Sequence, residues 1–234
     1  MYYGIDPTII LLIPAMIFSF IAQGSVTSTF KKYSQVRNSR NLTGAAAARY
    51  VLDRNGLSNV AIVPVSGSLT DHYDPVNRTL NLSEDVYDRP SVSAVSVACH
   101  EAGHAIQHAE GYAPLRIRNS IVPAVNFASS ISWILIMIGL GLIFSSAQSA
   151  MGNMIFNIGV LAFVLVLLFH VITLPVEFNA SSRALAQMES CGVLGESDLK
   201  GARKVLRAAA MTYVAATAVA AANLLRILLI RNRD

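Results

Sequence analysis

The chain has 234 residues, of which 53% are hydrophobic and only 14% charged, with a formal net charge of +4. That balance is too apolar for an ordinary soluble domain and points to a membrane protein. Its two cysteines, Cys99 and Cys191, are too few and too far apart to suggest a disulfide framework.

Residues 7–24 form an apolar run without a charge, long enough to span a bilayer. Nothing positive precedes it, and Lys31, Lys32, Arg37 and Arg40 follow, so it reads as an anchor and not as a cleaved secretory signal. The positive-inside bias then keeps that basic cluster cytoplasmic and puts the N-terminus outside. Residues 31–119 are polar. Thr43 is expected to cap a helix over 44–54, which Asn55-Gly56 stops. Val60 to Val65 reads as a short strand, Asp71-His72-Tyr73-Asp74-Pro75 as a turn, and Arg78 to Ser83 as a second strand with an open edge along Thr79 to Leu82.

After a stretch of small apolar residues comes His100-Glu101-Ala102-Gly103-His104, the H-E-x-x-H pattern of zinc peptidases. Residues four apart on a helix share a face, so two imidazoles can aim at one ion. Neutral imidazole suits Zn²⁺, and two supply half of a tetrahedral shell. Glu101 lies about 100° round the helix, close enough to take the proton of a water that the ion activates.

Residues 121–144 and 155–175 are two further uncharged apolar runs, joined by a short uncharged loop over 145–153. Arg116 and Arg118 before the pair and Arg183 after it again favour cytoplasm on both sides of this hairpin. Residues 179–207 are polar and helical in pattern, broken at Gly192 and Gly195. Residues 208–225 are uncharged and alanine-rich, and are expected as a possible fourth span. Arg226, Arg231 and Arg233 beyond them run against the charge bias.

A catalytic zinc site usually needs a third protein ligand. Position 110, where a third histidine would stand in one known pattern, is Glu110. His108 is one turn past His104 on the same face, about 6 Å along the axis, too far to share the ion without strain. Glu177 is the better candidate. Two membrane runs separate it from the motif, so both return to the same side, and an acidic residue at a membrane edge is seldom left unpaired. Its bland alternative is an ion pair with Arg183.

His100-Glu101-Ala102-Gly103-His104, two membrane runs and then Glu177-Phe178-Asn179-Ala180-Ser181 resemble the membrane gluzincins, most closely the YugP-like family of neutral zinc metallopeptidases. Thr43-Gly44, Asp71 to Pro75 and Leu206 to Ala215 share in the likeness, which is more distant to the HtpX-type membrane peptidases. The resemblance implies His100, His104 and Glu177 as ligands of one Zn²⁺ per chain and Glu101 as general base and acid. It also implies cleavage of peptide bonds in protein or peptide substrates. One departure stands out: the HtpX type carries Asp four residues after the ligand glutamate, where this chain has Ser181. A hydroxyl can still accept an imidazole N–H bond, without adding charge.

The expectation is a mainly α, multi-pass plasma-membrane protein with a small β-sheet and a zincin-like metallopeptidase core. Its parts are an anchor (1–30), a cytoplasmic part carrying the motif (31–119), a membrane hairpin (120–175) and a segment (176–234) with the third-ligand helix and an apolar end. The expected activity is zinc-dependent endopeptidase cleavage at the cytoplasmic face. Tyr213, His108 and Tyr112 stand as alternatives for stabilising the oxyanion. The rival reading is a non-catalytic scaffold with a structural zinc whose fourth ligand is His108 or Cys99. A metal transporter is disfavoured, because no membrane run carries paired ligands. Expected partners are substrates, the bilayer and other membrane proteins or a second copy, with no nucleic acid.

Overall fold

The computed structural model describes residues 7–145 and 149–231. A 3-10 turn, Pro7–Leu11, leads into α1 (Leu12–Ser34). Then α2 (Gly44–Arg54) starts where Thr43 Oγ1 accepts the Ala46 amide at 3.2 Å and stops at Asn55, with Gly56 at φ +71°. Its Ala47, Ala48, Val51 and Leu52 are fully buried, an apolar stripe at helical spacing.

The sheet has three strands, β1 (Ala61–Val65), β2 (His72–Asp74) and β3 (Thr79–Ser83), in the order β1-β3-β2. Two expectations are corrected here. Asp71 to Pro75 is not turn alone, because His72–Asp74 pairs antiparallel with β3. Thr79 to Leu82 is not an edge, because β1 pairs parallel with it on the other side. The physical reason is topological: a parallel pair needs a crossover, and the crossover from β1 to β3 is where β2 forms. Leu80 and Leu82 point into the core, which fixes the register of this central strand.

A one-turn helix, α3 (Glu84–Tyr87), precedes α4 (Val92–Ala109), whose N-cap Ser91 Oγ accepts the Ala94 amide at 3.1 Å. Next come α5 (Ala113–Ser145), α6 (Ala150–Ser190) and α7 (Glu196–Arg231). Of the expected loop over 145–153, residues 146–148 lie outside the described residues, and Ala150 already begins α6. Pro175 does not end α6. It lacks only the N–H that would bond the Val171 carbonyl, a loss that membrane helices tolerate. The break comes instead at Gly192, with φ +62°. Residues 208–225 continue the polar turns before them in one helix.

The described residues are thus mainly α, with a small sheet and, among them, four helices long and apolar enough to cross a membrane: Thr8–Ser34, Ala113–Ser145, Ala150–Ser190 and Glu196–Arg231. It divides into two compact units, and α1, α5, α6 and α7 each contribute to both. One unit takes in 22–116 and 175–212. Its core joins Leu52, Leu80, Val95 and Cys99 to Met188 and Leu206.

The other unit is built from parts of the long helices and centres on Ile136, Phe156, Phe163 and Ile227. Here α5 and α6 pack through glycines: a Cβ on Gly139 would lie 2.5 Å from the Phe156 amide, and one on Gly159 2.8 Å from that of Ile136. Small residues permit such close approach between membrane helices. Arg231 is engaged by Asn157 at 2.7 Å and Asn153 at 3.2 Å and lies over the Phe156 ring. Arg233 lies outside the described residues.

This packing gives a paired test. Gly139→Ala should destabilise by about 1–2 kcal/mol through overpacking. Gly141→Ala, where an added Cβ meets open space, should be neutral or stabilising because alanine is the better helix former. Thermal unfolding in detergent checks both. Equal midpoints would show that the glycine contact does not limit hairpin packing.

Candidate metal centre

Two helices build the site, and a glycine sets their separation. A Cβ on Gly103 of α4 would fall 2.7 Å from the Ala180 carbonyl oxygen of α6, so only glycine allows this approach. The crossing point is flanked by two pairs of residues four apart: His100 and His104 on α4, Glu177 and Ser181 on α6. Each pair shares one face of its helix, and the two faces meet. Glu177 Oε2 lies 3.2 Å from His100 Nε2 and 3.7 Å from His104 Nε2. The three ligand atoms all lie within 4.8 Å of one another, and His104 and Glu177 are buried.

These residues fit a zinc ion. Ligand atoms at 2.0–2.1 Å in a tetrahedral shell stand about 3.4 Å apart, and 3.2 and 3.7 Å bracket that separation. The donor set, two imidazoles and one carboxylate, is also that of a three-ligand catalytic zinc.

The other ring nitrogens explain why both Nε2 atoms can face an ion. His104 Nδ1 lies 2.9 Å from Gln107 Oε1, while Gln107 Nε2 donates to the Val176 carbonyl and to Asn179 Oδ1, both at 2.9 Å. Arg183 Nε donates to the same Asn179 oxygen at 2.7 Å, which fixes that amide's orientation. Gln107 must therefore turn its NH₂ toward two acceptors and its oxygen toward His104. The proton then sits on Nδ1 and leaves Nε2 bare. At His100, Ser181 Oγ lies 3.2 Å from Nδ1, within reach of that ring's second nitrogen.

Glu101 is buried beside the two histidines. Its Oε2 accepts the Tyr73 amide of β2 at 3.0 Å. Burial raises its pKa, against the opposing pull of His104 and His100. A carboxyl so placed holds a proton more readily than an exposed one.

Arg183 pairs with Glu110 at 2.7 Å, not with Glu177. His108 Nδ1 lies 2.9 Å from the Tyr73 hydroxyl. Cys99 is fully buried in the core, and burial pushes its thiol pKa up. Among the described residues neither joins the ligand group. Tyr112 donates to the Pro175 carbonyl at 3.5 Å and packs under Arg183. Tyr213 belongs to the other compact unit. Gln107, Asn179 and Tyr73 went unsuspected in the sequence. For Gln107 a signal existed, since three residues past His104 places it beside that ring.

Replacing Gln107 by leucine keeps the volume but removes the acceptor that holds His104 in this tautomer. Zinc affinity, measured by chelator competition, should fall about 10–100-fold. Unchanged affinity would show that the glutamine does not set the tautomer.

A protein family described as "Putative neutral zinc metallopeptidase" matches residues 8–232. The chain is similar to "Putative membrane protease YugP" of Bacillus subtilis (strain 168), 47% identical over 223 residues, which is 95% of each chain. No solved structure matches. Both matches run through the long apolar helices as well as the histidine motif, so the shared feature is the architecture and not a short pattern alone. The chain belongs to the neutral zinc metallopeptidase family.

Proposed function

We propose that this chain is a zinc-dependent membrane endopeptidase that hydrolyses peptide bonds of protein substrates at the cytoplasmic face, with one zinc per chain. His100, His104 and Glu177 would hold the ion, and Glu101 would handle the proton. One observation carries the reading: the Gly103–Ala180 crossing turns two same-face pairs into a three-donor cluster with a buried carboxylate beside it. When bound there, zinc would supply Lewis acidity, polarising the scissile carbonyl and acidifying water.

The chain's own groups do the rest. Glu101 takes the proton of the attacking water and gives it to the leaving amine. The Tyr73 amide engages Oε2, which anchors one carboxylate oxygen and leaves the other to take the proton. With β3 central, an extended substrate would be read along β2, whose Tyr73 amide already reaches Glu101. Main-chain bonds at a sheet edge give affinity with little sequence demand. Support for the cytoplasmic side comes from Lys31, Lys32, Arg37, Arg40, Arg116, Arg118 and Arg183 around the spans. On this reading 1–30 anchors the chain, 31–119 carries the motif, 120–175 forms the hairpin and 176–234 returns the third ligand.

The chemistry is tested by cleavage of an unfolded protein substrate beside zinc content. Glu101→Gln should lose at least about 10²-fold in rate while keeping zinc, and Glu177→Ala should lose the zinc itself. An active Glu101→Gln variant would sink the mechanism.

Orientation is a separate matter, tested in a background without Cys99 and Cys191. A cysteine at Ser149 should react with an impermeant maleimide in intact cells, and one at Ser197 only after permeabilisation. The reverse pattern would put the site outside.

A further inference from the structure

Two helices change character side by side. α1 is uncharged from Leu12 to Phe30 and turns basic at Lys31 and Lys32. α7 carries Lys200, Arg203, Lys204 and Arg207, on one face by their spacing, and is then uncharged from Ala208 to Leu225. The two borders coincide in space. A cleft of about 320 Å³ is lined by Ser25, Thr29 and Lys32 of α1 and by Lys204, Arg207 and Met211 of α7. The helices are held together just beside it, where a Cβ on Gly201 would lie 2.7 Å from the Tyr33 ring.

Lys32, Lys204 and Arg207 are exposed, and among the described residues none has an ion-pair partner. Lys32 has only the Tyr33 ring, 5.8 Å away. Glu189 and Glu196 line an adjoining cleft with Lys204 and Arg207 but pair with neither. The cleft is therefore cationic at one end and apolar at the other, where two apolar helices begin.

The geometry points to a headgroup site for one anionic phospholipid. Its phosphate is held between Lys32 and the Lys204–Arg207 pair, with Ser25 and Thr29 as hydroxyl donors. Its acyl chains leave the cleft along Ala208 and Met211, the apolar lining residues that follow Arg207 in α7. Free phosphate would gain the cations alone, whereas an amphiphile gains the apolar surface as well. The inference stands apart from the peptidase reading, because no ligand or proton-handling residue takes part.

Native mass spectrometry of the full chain in detergent tests it, with phosphatidylglycerol, phosphatidylcholine and inorganic phosphate as probes. Phosphatidylglycerol should bind one per chain at least tenfold more tightly than phosphatidylcholine. Each cation at an anionic surface contributes about fivefold, so Lys204→Gln with Arg207→Gln should weaken it about 25-fold. Lys32→Gln, on the other helix, should weaken it about fivefold. Arg54→Gln with Arg89→Gln removes the same charge elsewhere and should change nothing. Three results would each overturn the proposal. These are equal binding of the two lipids, equal loss in both double variants, and displacement of phosphatidylglycerol by equimolar inorganic phosphate, which would mark a soluble-anion site.

Discussion

The close approach of α4 and α6 at Gly103 and Ala180 is the constraint on which the site depends. A helix pair with a side chain at that point would stand further apart, since interiors have no slack to absorb a methyl group. Separation matters because the cluster is assembled from both helices: two imidazoles from α4, a carboxylate and a hydroxyl from α6. Ligand atoms must meet within a few tenths of an ångström of one tetrahedral shell. The glycine inside the histidine motif is thus part of the site's geometry, although it carries no chemistry.

Around that crossing the polar groups form a chain with one consistent direction. Glu110 holds Arg183, Arg183 donates to Asn179, Asn179 accepts from Gln107, and Gln107 accepts from His104. Each group's role follows from its neighbour, and the last consequence is the tautomer of His104. Buried polar networks have such effects because every unpaired group would cost desolvation energy. An ion pair far down the chain, Glu110 with Arg183, so bears on which nitrogen faces the ion. The same pair disposes of the bland alternative for Glu177, by occupying the arginine that alternative requires.

The membrane helices bring the third ligand back. Glu177 lies 73 residues after His104 in the sequence, yet α6 does not end at Pro175, and its next turns deliver the carboxylate to the motif helix. The helical hairpin that separates them packs through its own glycines. Of the final arginines, which run against the charge bias for a fourth span, Arg231 is bound by two asparagines and lies over an aromatic ring.

Local rules made much of this legible in the sequence. Thr43 and Asn55-Gly56 mark α2 because capping chemistry is set by neighbours in the chain. The four-residue spacing of His100 and His104 predicts a shared face because helix geometry is invariant. The apolar runs declare the long helices by length and charge alone. Tertiary structure alone decided the rest. Thr79 to Leu82 could not be recognised as the central strand, because pairing order depends on how a crossover closes. The partner of Arg183, the orientation of Gln107 and the bond from Tyr73 to Glu101 join residues between 28 and 73 positions apart. Which polar groups meet across such separations is settled by packing, and packing is a property of the folded chain.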